Sequence, residues 1–181
     1  AQRSHGRDLC PEVMLGDTRK EFKARAKAYT KASVAEVYSP LRVTRAATLL
    51  PGLGIGPGAA LDITTCDEHG RPWDFSDPAM RSKAERLIEE TEPDLLVGSP
   101  ECVAFSPWQR LNRLRSKNPE KYKKMREDGV VHLKFVCHLY AKQVKTGRYF
   151  LHEHPAQADS WTESCIEEVL KLEGVNTVVM H

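Results

Sequence analysis

The sequence reads Asp94-Leu-Leu-Val-Gly-Ser-Pro-Glu-Cys-Val-Ala-Phe-Ser106 just past the midpoint of its 181 residues. The apolar run in this segment lies between Pro93 and Gly98-Ser-Pro100. Such a run predicts a buried strand with an abrupt end, because proline cannot continue a central ladder. A single cysteine, Cys102, stands on the turn that follows. We therefore expect a thiol at the carboxyl end of a strand, which is where open α/β sheets bind their ligands.

Strand and helix patterns alternate on both sides of this segment. Further strands are predicted at residues 34–38, 59–64, 149–153 and 175–180, and helices at residues 16–32, 43–50, 79–92, 130–145 and 161–172, with a polar, basic loop before residue 130. The alternation predicts an α/β fold with a doubly wound, mostly parallel sheet that carries helices on both faces. Residues 1–33 are expected to form a basic helical extension and residues 34–181 the α/β domain. Because the last predicted strand meets the chain end, we expect a sheet that is incomplete at its C-terminal end and is completed by further segments of a larger polypeptide.

The composition is that of an ordinary globular protein. Charged residues make up 29% and hydrophobic residues 40%, which excludes the disordered and membrane classes. No apolar run approaches the span of a bilayer and the first residues lack the apolar core of a signal peptide, so an intracellular protein without a membrane partner is expected. Five cysteines without CxxC spacing predict reduced thiols. A metal site at His152 and His154 is not expected, since no second ligand pair has recognisable spacing.

The positive charge is concentrated in one segment although the formal net charge is only +2. Between positions 109 and 126 there are eight basic residues and one acid, Glu120. The candidates for contacts with nucleic-acid phosphates are Arg110, Arg113, Arg115 and Lys117. A solvated helix face or loop is the equally weighted alternative.

Acidic residues follow other predicted strands. Glu153 ends the strand that comes after Cys102, and neighbouring carboxyl ends converge on one crevice, so Cys102 and Glu153 are expected to share a site. A thiol on a tight turn near a cationic segment is placed to act as a nucleophile, and a buried structural cysteine is the alternative. Asp62 and Asp74 also stand at predicted carboxyl ends, where an acid binds ribose hydroxyls. For Asp74 an ordinary turn residue is the alternative.

The glycine-rich stretch at residues 52–58 invites comparison with a nucleotide-binding loop. Such a loop needs a strand before the glycines and a helix after them, so that the helix N-terminus faces a phosphate. Here the glycines follow a predicted helix and precede a predicted strand. A flexible connection is predicted instead.

The segment around Cys102 resembles the catalytic motif of cytosine-5 DNA methyltransferases, in which a strand leads to Gly-x-Pro-Pro-Cys-x-x-Phe-Ser. A second segment, Phe150-Leu-His-Glu-His-Pro155, is similar to the strand of that family that ends in Glu-Asn. The pattern also resembles methyltransferase-like domains embedded in the polyproteins of mobile elements.

This resemblance implies a class I methyltransferase fold and S-adenosylmethionine-dependent methyl transfer to cytosine in DNA, in the nucleus if the source is eukaryotic. In the family, the thiolate adds to C6 of a flipped-out cytosine, and Cys102 would take that role. Glu153 would hydrogen-bond N3 and the exocyclic amine. The cofactor-binding positions implied are Ser39 and Pro40 at the methionine-side turn, Asp62 and Asp74 at the ribose and adenine, and Pro100 beside them.

Three positions depart from the family pattern. Glu101 replaces the second proline of the motif, His154 replaces the asparagine after the glutamate, and Tyr38-Ser-Pro replaces a glycine-rich turn. These departures favour an alternative hypothesis, a catalytically inactive relative that serves as a nucleic-acid-binding or interaction module. A further alternative is a thiol hydrolase in which His138 or His154 activates Cys102.

Overall fold

The computed structural model describes residues 32–50, 52 and 54–179 of the chain. The predicted basic helix before the first strand lies outside these residues, except for its last position. Four strands are present: β1 (Ala32–Val37), β2 (Ile55–Leu61), β3 (Leu95–Gly98) and β4 (Tyr149–His152). They form one sheet in the order β2-β1-β3-β4, and every neighbouring pair is parallel. The predicted α/β class with a parallel sheet is confirmed at this level, which is that of a Rossmann-like fold.

Helices connect the strands. The α-helices are α1 (Val43–Leu49), α2 (Pro78–Thr91), α3 (Pro107–Arg115), α4 (Pro119–Lys145) and α5 (Ser164–Leu170), with short 3₁₀ helices at Val103–Phe105 and Asp159–Thr162. In this described part of the chain, no helix is long and apolar enough to cross a membrane.

The two faces of the sheet are covered by different helices. Successive side chains of a strand point to opposite faces. Val34 of β1 therefore packs with Ala47 of α1, while Ala35 belongs to the main core. The same main core contains Ala84 of α2 and Val136 of α4. Helix α1 thus covers one face, and α2 and α4 cover the other, as the doubly wound prediction requires.

The strand order creates a crevice between β1 and β3. Strand β2 lies on one side of β1 in the sheet and β3 lies on its other side. The connection after β1 and the connection after β3 therefore lead away from each other at this point. The residues directly beyond the two strands are Tyr38 and Ser99, and the Ser99 N–H donates to the Val37 carbonyl at 3.2 Å. Ligands of open α/β sheets bind at such a switch point.

The predicted basic loop before residue 130 is wrong, because this segment is helical. Helix α3 begins after Ser106, whose hydroxyl accepts from the Trp108 N–H, and α4 begins after Asn118, whose side chain accepts from the Lys121 N–H. Each cap is followed by a proline at the first helical position. A capping residue followed by proline is a strong local signal for a helix start. The Ser106-Pro107 and Asn118-Pro119 pairs are therefore the local sequence signals for the starts of these two helices.

The last predicted strand, at residues 175–180, is also wrong within the described residues 175–179, which form no strand. Val178 remains 80% exposed. A β-prone sequence becomes a strand only when a neighbouring edge supplies hydrogen bonds and packing. Strand β2 begins earlier than predicted and contains Gly58, where a Cβ atom would come within 2.7 Å of the Val34 carbonyl oxygen. The glycine stretch is therefore partly a strand that lies close to β1, not a flexible connection.

Candidate functional site

The register of β3 and β4 brings the two motif segments to one edge of the sheet. Gly98, the last residue of β3, is paired with His152, the last residue of β4. One residue further on, the Glu153 N–H donates to the Gly98 carbonyl at 3.1 Å. Glu153 and the turn that carries Cys102 therefore leave the sheet side by side, and the Glu153 side chain is exposed.

Cys102 lies on a tight turn that is anchored in the core. Its carbonyl accepts from the Phe105 N–H at 3.0 Å, which starts the 3₁₀ helix Val103–Phe105. Phe105 is only 1% exposed and fixes this helix against the main core. The thiol of Cys102 is free and half-buried. The turn thus holds a thiol at the surface of the edge where Glu153 emerges.

His154 joins the end of β4 to the Cys102 turn. Its Nε2 lies 2.8 Å from the Pro100 carbonyl oxygen and its Nδ1 lies 2.6 Å from the Ser160 hydroxyl. The side chain is 8% exposed, and this burial lowers the pKa of His154 below its ordinary value. From the sequence, His154 is a departure from the family pattern and a candidate base for Cys102. It is also one of two histidines at which a metal site is not expected. Its link to Pro100 spans 54 residues and left no local signal.

A second histidine, His152, lies behind the first. Its Nδ1 is 3.1 Å from the Tyr140 hydroxyl, and its ring is 4.7 Å from the ring of His154, measured between centroids. Its Nε2 is buried without a hydrogen-bond partner among the residues described. Burial, with a smaller contribution from His154, lowers the pKa of His152 to about 3. The ring is therefore neutral at neutral pH.

The turn after β1 is organised by Glu36, a residue outside the site that the sequence predicts. Its carboxylate is 0% exposed and accepts hydrogen bonds from the Ser39 hydroxyl at 2.7 Å and the Thr44 hydroxyl at 2.6 Å. The backbone N–H groups of residues 42, 43 and 44 donate to the same carboxylate at 3.0, 3.2 and 2.9 Å. Ser39 therefore directs its hydroxyl inward, and Pro40 beside it is half-buried. An acid inside an apolar strand pattern was the available signal.

Tyr38 directly follows β1, at the end of the strand where the crevice between β1 and β3 begins. Its backbone is in the left-handed region, with φ of 59°, a conformation that residues other than glycine rarely adopt. Its ring packs against Phe75 with centroids 4.7 Å apart, and its hydroxyl lies 3.0 Å from Nδ1 of His132 on α4. Burial raises the pKa of Tyr38 above its ordinary value. An aromatic ring thus occupies the position that the resemblance assigns to a glycine-rich turn.

The two predicted ribose-binding acids lie in different surroundings. Asp62 directly follows β2, and its Oδ1 accepts from the Thr64 N–H and hydroxyl at 2.9 and 2.6 Å. Asp74 accepts from the Ser76 N–H at 2.9 Å, and its negative charge acts on Tyr38 and on His132. Asp74 therefore lies close enough to Tyr38 and His132 for its charge to act on both, while the contacts shown for Asp62 stay within its own turn. Both side chains are half-buried.

The residues predicted to contact phosphates come after the Cys102 turn in the sequence. They lie on α3 and on the connection from α3 to α4. Arg110 and Arg113 lie on α3, but their side chains are outside the described part of the structure. Arg115 ends this helix and Lys117 follows it, and both side chains are exposed. A groove of about 400 Å³ borders the same region, and its lining includes Ala104, Gln109, Tyr122, Lys123, Arg126 and Asp159. Arg126 is paired with Glu163, which offsets part of the positive charge.

No family model, no curated protein and no solved structure matches this chain. Among the described residues, no group of three or more His, Cys, Asp or Glu side chains is placed to hold a metal ion. The function is therefore inferred from the geometry of the carboxyl edge and from the resemblance of its two motif segments.

Proposed function

We propose that this domain transfers a methyl group from S-adenosylmethionine to C5 of cytosine in DNA, with Cys102 as the nucleophile. The observation that carries the proposal is the 3.1 Å hydrogen bond from the Glu153 N–H to the Gly98 carbonyl. It joins the carboxyl ends of two neighbouring parallel strands, each of which leads into one of the segments that resemble the family motif. Two separate resemblances thus meet at one edge of the sheet.

The roles proposed for the residues follow from their positions. Cys102, as a thiolate, adds to C6 of a cytosine that has left the base stack. The carboxyl group of Glu153 is exposed at the same edge and hydrogen-bonds N3 and the exocyclic amine of that base. A bound cofactor would supply the methyl group for C5 and would leave as S-adenosylhomocysteine; loss of the C5 proton to solvent would then break the bond between C6 and Cys102 and restore the base and the thiolate. Phe105 and His154 hold the turn beneath the thiol.

The chemistry of two residues supports a cofactor at its ribose end. Asp62 and Asp74 are half-buried carboxylates, and each carboxylate has acceptor capacity beyond the bonds of its own turn, suited to hydroxyl donors. Ser39 donates its hydroxyl to Glu36 instead, so Ser39 and Pro40 would contribute main-chain contacts. Pro100 would contribute packing, because its carbonyl accepts from His154.

A covalent trap tests the proposal. The protein is incubated with S-adenosylmethionine and DNA that contains a mechanism-based cytosine analogue, and the adduct is detected by mass spectrometry. We expect an adduct to the wild type, none to Cys102→Ser, and a normal one to Cys66→Ser, because Cys66 is an exposed residue of the connection between β2 and α2. No adduct to the wild type, or an equal adduct to Cys102→Ser, would contradict the catalytic role.

A second candidate function is a nucleic-acid-binding module without catalytic activity. The surroundings of Tyr38 favour it, because the turn after β1 carries an aromatic ring, packed against Phe75 and bonded to His132, where the family pattern has a glycine-rich cofactor turn. Isothermal titration calorimetry with S-adenosylmethionine separates the two candidates. Micromolar binding supports the enzyme, whereas DNA binding without cofactor binding supports the module.

The thiol-hydrolase alternative has little support in the contacts described. His154 uses both ring nitrogens for Pro100 and Ser160. His138 pairs with Glu85 at 2.7 Å. Both candidate bases are therefore engaged with groups other than Cys102.

A further inference from the structure

Two buried hydrogen bonds link Ser160, His154 and Pro100 at the carboxyl edge of the sheet, and the proposed function assigns them no chemical role. The two bonds measure 2.6 and 2.8 Å, and Ser160 is 0% exposed. These bonds join the turn after β3 to a part of the chain 54 residues away, which contains the end of β4 and the 3₁₀ helix Asp159–Thr162 that follows it. A buried polar link of this kind specifies one arrangement of the segments it joins.

The partners decide where the proton of the imidazole lies. A carbonyl oxygen can only accept, so Nε2 of His154 carries the proton that is donated to Pro100. In the neutral ring Nδ1 is then an acceptor, and the Ser160 hydroxyl donates to it. The serine thereby selects the ring form that can hold Pro100.

The bond to Pro100 acts in the middle of the turn that carries the thiol. The Pro100 carbonyl belongs to the peptide group that leads to Glu101, one residue before Cys102. On one side of it, the Ser99 N–H is bonded to Val37, and on the other the Cys102 carbonyl is bonded to the Phe105 N–H. Because a peptide group is planar and the φ angle of proline is restricted, holding this carbonyl limits the paths that the chain can take to Cys102.

We propose that His154 is a positioning residue for the Cys102 thiol, acting through the Nε2–H bond to the Pro100 carbonyl. This inference rests on the proposed function for its biological purpose. Its physical content, a thiol whose position depends on one imidazole N–H, can be measured without cofactor or DNA.

Two substitutions at His154 separate this role from general stability. His154→Phe keeps a planar ring but removes both hydrogen bonds. His154→Gln places an amide N–H near the position of Nε2 and can restore the bond to Pro100. The rate at which iodoacetamide alkylates each cysteine is then followed in the native protein by peptide mass spectrometry, and half-buried Cys165 on α5 is the internal control.

We expect alkylation of Cys102 to be about tenfold faster in His154→Phe, which corresponds to the loss of one net hydrogen bond, with Cys165 unchanged. In His154→Gln the Cys102 rate should return toward that of the wild type. An unchanged rate in the phenylalanine variant, or equal rates in the two variants, would overturn the proposal. If His154→Phe does not fold, Ser160→Ala replaces it, and we expect faster Cys102 alkylation there too; an unchanged rate overturns the proposal.

The cytosine-analogue trap, applied to the same variants, keeps the two proposals distinguishable. We expect the adduct to be lost in His154→Phe and to be retained in His154→Gln. If the wild type forms no adduct but the alkylation rates differ as stated, the positioning role stands and the proposed function fails. If the wild type forms the adduct and the alkylation rates do not differ, the positioning role fails and the proposed function stands.

Discussion

The hydroxyl of Thr44 donates a 2.6 Å hydrogen bond to Oε1 of Glu36, a carboxylate without exposed surface. The bond connects the first turn of α1 to the C-terminal end of β1, and the backbone N–H of Thr44 donates to the same oxygen at 2.9 Å. A buried carboxylate is stable only when its acceptor positions are used. Glu36 therefore orders the first connection of the sheet, in a chain whose turn at this point is Tyr-Ser-Pro.

Replacement of Glu36 by glutamine tests this organising role. The amide keeps the size of the side chain, but its NH₂ group faces donors that then have no acceptor, so we expect a loss of about 3 kcal/mol in the free energy of unfolding. Urea denaturation measures the effect. The exposed residue Glu120 provides the control, and Glu120→Gln should change stability by less than about 0.5 kcal/mol. Equal stability of both variants would show that Glu36 does not hold the turn.

Gly98 lies where the turn of Cys102 leaves the core. A Cβ atom there would come within 2.0 Å of the Tyr140 hydroxyl oxygen and 2.8 Å of Cγ2 of Val136. We expect Gly98→Ala to destabilise the protein by about 3 kcal/mol, because a well-packed core tolerates added atoms poorly. Gly52→Ala is the matched control, since nothing lies within 4 Å of its added Cβ. Thermal unfolding that shows the same midpoint for both variants would contradict the close packing.

Tyr38 is the residue whose removal should change cofactor binding. If its ring occupies cofactor space, Tyr38→Gly should bind S-adenosylmethionine more tightly than the wild type, by about tenfold or more, as when a competing conformation is removed. Tyr38→Phe keeps the ring and should bind like the wild type. Calorimetry provides both affinities. Equal affinity of Tyr38→Gly and Tyr38→Phe would mean that the ring lies outside the cofactor path.

The buried ring of His152 should make stability depend on pH. Its pKa is about 3 in the folded protein, whereas an unfolded chain has the ordinary value of 6.5, so the unfolded chain binds the extra proton between these values. Stability is therefore fully present above about pH 6.5 and falls as the pH decreases, with this group contributing about 1.4 kcal/mol per pH unit. His152→Gln should show a shallower decrease between pH 6 and pH 4. His69→Gln, at an exposed position, should keep the wild-type slope, and a wild-type slope in His152→Gln would contradict the assignment.

The segment after the Cys102 turn should control DNA affinity if it binds phosphates. Arg115 and Lys117 are exposed, and a double change to glutamine removes two charges. We expect binding to weaken for all sequences alike, and the slope of log affinity against log salt to decrease by about 2, about one for each phosphate that is no longer neutralised. Lys171→Gln, at an exposed position just beyond α5, should leave the slope unchanged. Salt-independent binding by the wild type would rule out this surface.

Much of the fold followed from local patterns. The Asp77-Pro78 pair predicted the start of α2, and the Asp77 side chain accepts from the Ala79 N–H as a cap should. The apolar run before Gly98 predicted β3 to within a residue. These predictions hold because helix caps, proline and short apolar runs act on neighbouring residues, where the backbone has few choices. The starts of helices α3 and α4 carry the same kind of local signal, in the Ser106-Pro107 and Asn118-Pro119 pairs.

The sequence by itself determined the α/β class, the strands predicted at residues 34–38, before Gly98 and at residues 149–153, and the presence of a cysteine and a glutamate at or just beyond the ends of two of them. Only the tertiary structure decided that β3 pairs with β4 in the register that sets Glu153 beside Gly98, and that His154 holds Pro100. It also decided that the ring of Tyr38 packs against Phe75 and that residues 175–179 form no strand. The physical reason is that these outcomes depend on hydrogen bonds and packing between segments far apart in sequence, such as His154 and Pro100, or on the presence of a sheet edge to pair with. Contacts between distant segments and the availability of a sheet edge produce no repeating pattern in the neighbouring residues, so local sequence patterns do not predict them.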